Sequence, residues 1–287
     1  MDLFQALILG IVQGLTEFLP ISSSAHLRIV PALLGWQDPG AAFTAVIQIG
    51  TLAAVLAYFR ADIVRIGRAW ILGIRHARPG ENLDSRMGWM MIVGTVPIVV
   101  CGILFKEQIE TSLRSLYVIA AAMIGLAAIL AVAEALVHAQ ARRGIRQKQL
   151  DEVTWPDAII TGLVQAIALV PGSSRSGVTI TAGLFQGLSR ETAARFSFLL
   201  SLPSVLAAGV FQLYKARHEL LATQEDILAL TVATIASGIV GYLSIAFLLS
   251  YLKTHSTYVF IAYRLIVGSL ILFWLANGTL SALASAT

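Results

Sequence analysis

The chain has 287 residues, of which 57% are hydrophobic and only 13% are charged. Because a soluble domain carries roughly 25% charged residues, this composition excludes an ordinary soluble protein and favours a chain surrounded by lipid. The net charge of +4 does not indicate nucleic-acid binding, since the arginines and lysines concentrate in short segments between apolar runs, as in membrane proteins.

Six apolar runs are long enough, or nearly long enough, to cross a bilayer as helices, which takes about 20 residues. They are residues 41–59, 87–105, 115–133, 196–214, 227–252 and 256–277. The last run is interrupted only by Arg264, whose side chain is expected either to pair with a carboxylate or to reach the cytoplasmic interface. We expect each run to form a transmembrane helix.

Four further apolar runs are shorter and form two pairs, each joined by a turn rich in proline and serine. The pairs are 2–19 with 21–34, and 157–170 with 173–186. The three shortest runs would extend only about 20–23 Å as helices. We therefore expect two re-entrant hairpins with turns near mid-membrane, where irregular backbone must be buried in protein or face a wet cavity. Loop charge alone does not distinguish them from pairs of full crossings.

The two halves of the chain resemble each other. Residues 6–13 (Ala-Leu-Ile-Leu-Gly-Ile-Val-Gln) match residues 158–165 (Ala-Ile-Ile-Thr-Gly-Leu-Val-Gln), and each segment is followed within seven residues by Pro-x-Ser-Ser. Each unit then holds a hairpin and three spans, and this odd number of crossings inverts the second copy, although apolar helices also produce chance matches.

The predicted fold is an all-α integral membrane protein built as an inverted repeat of five helices each. It has six full transmembrane helices and two re-entrant helical hairpins. We expect a first repeat at 1–137 with its hairpin at 2–34, a cytoplasmic connector at 138–156, and a second repeat at 157–287 with its hairpin at 157–187.

Loop charge predicts the orientation of the chain. The loop between the third and fourth helices and the stretch after the fifth are strongly basic, so both are expected in the cytoplasm. Their basic residues are Arg60, Arg65, Arg68, Arg75, Arg78 and Arg86, then Arg142, Arg143, Arg146 and Lys148. The mixed-charge loops 106–114 and 215–226 are expected on the outer side.

The first Pro-Ser turn follows a helix that carries two polar residues, Gln13 and Glu17, which share one helix face because they are four positions apart. Three serines then open the helix that carries His26; they are Ser22, Ser23 and Ser24. Charge inside a membrane is costly and typically functional, so Glu17 is a candidate site residue. Its structural alternative is an interfacial charge, and that of Ser22 is a helix N-cap.

The second turn reads Pro-Gly-Ser-Ser-Arg-Ser-Gly over residues 171–177. Its glycines let backbone N–H groups at a helix N-terminus hold an anion, and Arg175 adds a guanidinium whose donors match a phosphate. Ser173 has the alternative of capping the helix. If the turns meet, the site combines anion binding, a nucleophile or activated water, and a proton carrier, as diphosphate chemistry requires.

At these motifs the chain resembles the undecaprenyl-diphosphatase family associated with bacitracin resistance. The resemblance covers nearly the whole chain and is densest at residues 13–26 and 171–177. Family members carry Glu/Gln-x-x-x-Glu and Pro-Gly-x-Ser-Arg-Ser-x-x-Thr, and both motifs are present, the second ending at Thr179. Gln13 occupies a position that is Glu in some members, which leaves Glu17 as the only carboxylate of its motif.

The resemblance implies an enzyme that removes the terminal phosphate of the C55 isoprenoid diphosphate and so recycles the lipid carrier for peptidoglycan synthesis. It implies a multi-pass protein of the bacterial inner membrane, a divalent cation (Mg²⁺ or Ca²⁺), and an active site that opens to the periplasm. The expected catalytic residues are Glu17, Ser23, His26 and Arg175; the expected phosphate-binding residues are Ser22, Ser24, Gly172, Ser173, Ser174, Ser176 and Thr179; the expected metal ligands are Glu17 and Gln13.

Several alternatives stay open from sequence. The nucleophile is Ser23, His26 or water, and the rival function is a lipid-phosphate flippase or secondary transporter, because inverted repeats with broken helices are common there. The type 2 phosphatidic-acid phosphatases are set aside because their Pro-Ser-Gly-His element is absent. Besides the lipid substrate and membrane lipids, a homodimer is a candidate partner, since Ser237-x-x-x-Gly241 suits helix packing either between chains or within one. Glu134, at a span end, is expected to be solvated.

Overall fold

The computed structural model describes residues 1–78 and 80–281, and the regular structure of these residues is helical apart from one isolated bridge between Lys148 and Leu188. Among them, six helices are long and apolar enough to cross a membrane. These spans are Gly40–Tyr58, Leu83–Leu104, Leu116–Arg142, Arg190–His218, Gln224–Leu252 and Tyr258–Ala276. The six predicted spans are therefore confirmed as apolar helices.

Twelve α-helices in the described residues are labelled α1 to α12 in chain order. They are α1 Leu3–Phe18, α2 Ser23–Leu34, α3 Gly40–Tyr58, α4 Arg60–Arg75, α5 Leu83–Leu104, α6 Lys106–Glu110, α7 Leu116–Arg142, α8 Trp155–Gln165, α9 Arg175–Phe185, α10 Arg190–Leu220, α11 Gln224–Leu252 and α12 Tyr258–Ala276. A 3₁₀ segment, Ala166–Leu169, extends α8 towards the second Pro-Ser turn.

Local sequence signals mark the outer ends of the first hairpin. The Asp2 side chain caps α1 by accepting from the Gln5 N–H at 2.7 Å, and α2 ends at Gly35, whose φ of 69° is left-handed and suits glycine. Helix α1 has 16 residues and α8 and α9 have 11 each. Helix α1 extends about 24 Å and α9 about 17 Å, and α8 with its 3₁₀ extension reaches about 24 Å. All are shorter than the roughly 30 Å of a hydrocarbon core.

The hairpins pack by close backbone approach, α1 against α11 and α8 against α5. A Cβ on Gly14 would lie 2.8 Å from the Gly241 N and 2.8 Å from the Ser237 carbonyl oxygen, so only glycine fits there. Gly162 approaches the backbone of Gly94 in the same way. Ser237 is buried and donates to a carbonyl of α3 at 2.7 Å. The Ser237-x-x-x-Gly241 pattern thus packs within the chain.

Two expectations about charged segments are corrected. The basic stretch expected to be a loop begins with helix α4, because its apolar residues recur at helical spacing and bury Ile66. Glu134, expected to be solvated, is fully buried, since α7 continues to Arg142 and places it inside the helix. Its carboxylate pairs with Arg190 and accepts from the Thr257 hydroxyl at 2.7 Å.

Candidate active site

The two Pro-Ser turns, about 150 residues apart in sequence, meet inside the bundle. The Gly172 N–H of the second turn donates to Ser24 Oγ of the first at 3.1 Å. In the opposite direction, Ser176 Oγ donates to the Leu19 carbonyl at 3.1 Å. These reciprocal bonds satisfy backbone groups that the helix ends leave open. The turns therefore form one continuous polar region.

Glu17 lies at the centre of this region and uses both carboxylate oxygens. Its Oε1 accepts from Arg175 Nη2 at 2.9 Å. Its Oε2 accepts from Ser23 Oγ at 2.7 Å and from Gln13 Nε2 at 2.9 Å. The side chain is 6% exposed, and a buried charge is tolerable when it is paired and hydrogen-bonded in this way. Four of the predicted site residues are thus brought into direct contact.

Each turn places a serine in a left-handed conformation at the start of its second helix. The φ values are 77° at Ser22 and 66° at Ser174, which are uncommon for residues other than glycine. Ser22 Oγ accepts from the Ala25 N–H at 3.4 Å, and Ser174 Oγ accepts from the Gly177 N–H at 3.1 Å. The capping role expected of Ser22 is confirmed. For the second turn it is wrong, because α9 begins at Arg175, which makes Ser174 rather than Ser173 the N-cap.

His26 contacts Tyr263 of α12 and the backbone of its own turn. Its Nδ1 lies 2.7 Å from the Ser22 carbonyl oxygen; since a carbonyl only accepts, this nitrogen carries a proton. Its Nε2 lies 2.6 Å from the Tyr263 hydroxyl, and the two rings are stacked. Both ring nitrogens are therefore engaged. Tyr263 is a site residue that the sequence reasoning missed, although its neighbour Arg264 marked this position.

Arg264 of α12 donates hydrogen bonds to both turns. Its Nη1 donates to the Pro20 carbonyl at 3.4 Å, and its Nη2 donates to the Gly172 carbonyl at 3.1 Å. The remaining bonds go to carbonyls of Ala122 and Met123 on α7. Both expectations for this side chain are wrong, because it is 1% exposed and, among the described residues, pairs with no carboxylate. The turns leave carbonyls without helical partners, and a guanidinium supplies enough donors for them.

Three buried polar atoms of the predicted site have no hydrogen-bond partner among the described residues: Gln13 Oε1, Ser173 Oγ and Arg175 Nη1. Such atoms cost roughly 1–3 kcal/mol each, and in native proteins they are rare enough to need a reason. Thr179 differs, since its hydroxyl donates to the Arg175 carbonyl at 2.7 Å and lies 2.6 Å from Ser197 Oγ. The structure therefore does not bring the Thr179 hydroxyl to Glu17.

A profile of the family described as "Bacitracin resistance protein BacA" matches residues 6–270. The chain belongs to this family. Among its relatives are proteins named "Undecaprenyl-diphosphatase" from Chlorobium limicola, 64% identical over 98% of this chain and 100% of the relative, and from Chloroherpeton thalassium, 62% identical over the same shares. The protein of that name from Chlorobaculum tepidum is 64% identical over 98% of this chain and 99% of the relative. With its six membrane-length helices, this BacA-family chain is a multi-pass membrane protein.

A cavity of about 150 Å³ in this BacA-family chain adjoins the two turns. Its lining includes Ser24 and Pro171 of the two turns together with Arg28 and Arg114. Both arginines pair with Asp38, at 3.6 Å and 2.8 Å. Two guanidinium groups shared by one carboxylate leave this cavity net positive, which suits an anionic ligand.

The donor set partly fits a divalent cation. The described residues contain no group of three or more His, Cys, Asp or Glu side chains that would hold a metal by themselves. They do place the Glu17 carboxylate beside Gln13, whose Oε1 is buried without a partner. Carboxylate and amide oxygens suit Mg²⁺ and Ca²⁺, and Mg²⁺ in particular is commonly held by one or two carboxylates plus substrate phosphates. The site therefore fits a cation bound together with the substrate.

Proposed function

We propose that this chain hydrolyses undecaprenyl diphosphate to undecaprenyl phosphate and inorganic phosphate. The reaction recycles the lipid carrier for peptidoglycan synthesis and confers resistance to bacitracin. Relatives named undecaprenyl-diphosphatase, which share 62–64% of its residues, support this assignment. One structural observation carries it: the two oxygens of Glu17 contact a hydroxyl nucleophile, Ser23, and a phosphate-binding guanidinium, Arg175.

The proposal also includes an arrangement of the chain in the membrane. We infer that the chain is an inverted repeat, with units 1–137 and 157–287, a cytoplasmic connector at 138–156, and hairpins 2–34 and 157–187 that are re-entrant. Two observations support this: the hairpin helices are too short to span, and each hairpin packs on the other unit, α1 on α11 and α8 on α5. The test introduces cysteines at the start of α1 and at the end of α2 and adds a thiol reagent that cannot cross the membrane. A re-entrant hairpin places both cysteines on the same side.

We assign the chain to the bacterial inner membrane with its site open to the periplasm. The basic segments 60–86 and 142–148 then face the cytoplasm. The cavity lined by Ser24 is also lined by Arg114, in the segment expected on the outer side. The diphosphate headgroup enters there, and its lipid tail lies between helices.

The diphosphate binds to polar side-chain atoms that have no hydrogen-bond partner among the described residues. Arg175 Nη1 and the Ser173 hydroxyl are buried without partners, and each supplies a donor to a phosphate oxygen. The hydroxyls of Ser22, Ser24, Ser174 and Ser176 and the Gly172 backbone line the same turns. Arg264 adds a second positive charge behind them. Phosphoryl transfer depends mainly on such positioning and charge stabilisation.

The chemical step starts from the Ser23–Glu17 contact. Ser23 Oγ forms a bond to the terminal phosphorus, the anhydride P–O bond breaks, and undecaprenyl phosphate leaves with that bonding pair, while the Ser23 proton passes to Glu17 Oε2. Water then attacks the phosphoserine: one of its protons goes to Ser23 Oγ, and the other leaves on inorganic phosphate. The proton that Glu17 gained is then released to solvent, since the described contacts hold His26 between Ser22 and Tyr263 and give it no hydrogen bond to Glu17. Because Tyr263 and Ser22 occupy both His26 nitrogens, attack by His26 is less favoured.

The cation is proposed to be Mg²⁺ or Ca²⁺, held by Glu17, Gln13 and the substrate phosphates. When bound, it supplies further neutralisation of the phosphate charge. The roles of Ser23, Glu17 and Arg175 described above follow from their own contacts.

Phosphate release by the purified protein in detergent tests the function. An enzyme releases inorganic phosphate from undecaprenyl diphosphate, and a chelator abolishes the release. A flippase or transporter releases none, and that result would overturn the proposal.

A single-turnover reaction in heavy-oxygen water, followed by peptide mass spectrometry after acid quench, identifies the nucleophile. A phosphate adduct on Ser23 is expected. An adduct on His26 would contradict serine attack. An unmodified chain, with label in the phosphate released during the first turnover, would establish direct attack by water.

A further inference from the structure

A second feature lined by arginines lies at the start of α5, whereas Arg114 follows the end of that helix. It is an open groove of about 750 Å³ between α4 and the start of α5. One wall is a single face of α4, because its residues recur every three to four positions, among them Arg60, Val64, Arg68 and Leu72. We refer to this feature as the arginine groove. It shares no lining residue with the site formed by the two turns.

Four arginines line the arginine groove, and they differ in their partners. Arg65 pairs with Asp62 and Asp84, and Arg78 pairs with Glu81. Arg60 and Arg68, about two helical turns apart on α4, form no ion pair with the part of the chain that the structure describes, although Arg60 Nη1 donates to the Ala57 carbonyl at 3.2 Å. Both are exposed. Two guanidinium groups, spaced along one helix face, are thus available to an external anion.

Apolar side chains lie between the arginines of the arginine groove. Val64 lies between Arg60 and Arg68 on the same face and is 55% exposed; Leu72, one turn further, is 50% exposed. Helix α4 directly follows the membrane-length helix α3 and precedes α5, so it lies at the membrane boundary. A soluble anion would leave these side chains in water. A ligand with a phosphate headgroup and hydrocarbon chains would cover both kinds of surface.

We propose that the arginine groove binds the headgroup of an anionic phospholipid. The guanidinium groups of Arg60 and Arg68 hold the phosphate, and Val64 and Leu72 contact the upper part of the acyl chains. A headgroup with two phosphates, as in cardiolipin, matches the two arginines that form no ion pair. The groove thereby fixes α4 against the membrane surface.

The test measures lipid binding to the purified full chain in neutral detergent, using cardiolipin and phosphatidylcholine as probes in native mass spectrometry and thermal unfolding. Cardiolipin is expected to remain bound and to raise the unfolding temperature, whereas phosphatidylcholine is not. The double variant Arg60→Gln/Arg68→Gln is expected to bind cardiolipin about tenfold more weakly. Its phosphate release in the absence of anionic lipid stays unchanged, so the two proposals fail independently.

The matched control is Arg142→Gln/Arg143→Gln, which removes the same charge from exposed arginines at the end of α7. It is expected to keep wild-type affinity for cardiolipin. Equal affinity of the groove variant and the wild type would overturn the proposal, and so would an equal loss in the control. Undecaprenyl phosphate that displaces cardiolipin at equal concentration would also overturn it, because the groove would then be a site for polyprenyl lipids.

Discussion

The two turns at the centre of the molecule share a backbone conformation but carry different chemistry. Each has a left-handed serine as N-cap, Ser22 or Ser174, whose hydroxyl lies 3.1 or 3.2 Å from that of the serine two positions later. The residue between the two serines differs: it is Ser23 in the first turn and Arg175 in the second. These two side chains contact opposite oxygens of the same carboxylate, Glu17.

The backbone conformation is common to the two turns, whereas the side chains that the proposed reaction needs differ between them. With the matching conformation, each turn places a helix N-terminus in the region where the two turns meet. Two identical turns would supply hydroxyls and backbone donors but no guanidinium. The second hairpin also has Leu169 where the first has Glu17, when Gln165 is matched to Gln13. Under the proposed repeat, the differences at these two matched positions place the proposed nucleophile, Ser23, on one side of Glu17 and the guanidinium of Arg175 on the other.

The largest loss of activity is expected for a substitution of Ser23. Ser23→Ala removes the proposed nucleophile and is expected to lower kcat by about 10³-fold or more, because a missing nucleophile is not replaced by the remaining groups. The measurement is phosphate release from undecaprenyl diphosphate. Ser24→Ala, which removes a hydroxyl from the same turn, is the control and should lose far less. Comparable losses in both variants would assign Ser23 a structural role only.

A substitution of Arg175 is expected to reduce activity slightly less. Arg175→Ala should lower kcat by roughly 10²–10³-fold, the usual consequence of removing one donor to a developing charge. Arg175→Lys should recover part of the rate, because it restores the charge without the two-pronged donor. Thermal unfolding of both variants must be followed, since Glu17 loses its ion pair. Full activity in a folded Arg175→Ala variant would remove the second turn from the site.

Substitutions of Arg264 test whether its hydrogen bonds to both turns matter for activity. Arg264→Lys keeps the charge but loses the simultaneous bonds to Pro20 and Gly172. Because small misplacements of reacting groups are costly, we expect kcat to fall by about 10–100-fold while KM changes little. Arg264→Gln should lose more, since it removes the charge as well. A rise in KM with an unchanged kcat would show that Arg264 contributes only to substrate binding.

The smallest effect is expected at Gln13, which lies beside Glu17 but carries no charge. Gln13→Glu places a second carboxylate there, and the resulting repulsion is relieved by a cation. The Mg²⁺ concentration for half-maximal phosphate release should therefore fall several-fold. Gln165→Glu changes the matching position of the other hairpin, where the side chain donates to the Gly94 carbonyl at 3.4 Å, and should leave metal dependence unaltered. An unchanged requirement in Gln13→Glu would place the cation elsewhere.

Much of the architecture follows from the sequence. The six spans, the two short helix pairs and the serine-rich turns are encoded by apolar run length and by capping residues, which act between neighbours along the chain. The family motifs likewise point to Glu17, Ser23 and Arg175. These features could be predicted because each depends on residues within one or two helical turns of one another.

Only the tertiary structure decided how distant groups combine. The contact between Glu17 and Arg175 joins residues 158 positions apart, and the burial of Arg264 against both turns depends on how α12 and α7 pack. The pairing of His26 with Tyr263 and the burial of Glu134 have the same origin. Helix periodicity states which face of a helix is apolar but not which neighbour it meets, so the partners of buried polar groups had to be read from the packed bundle.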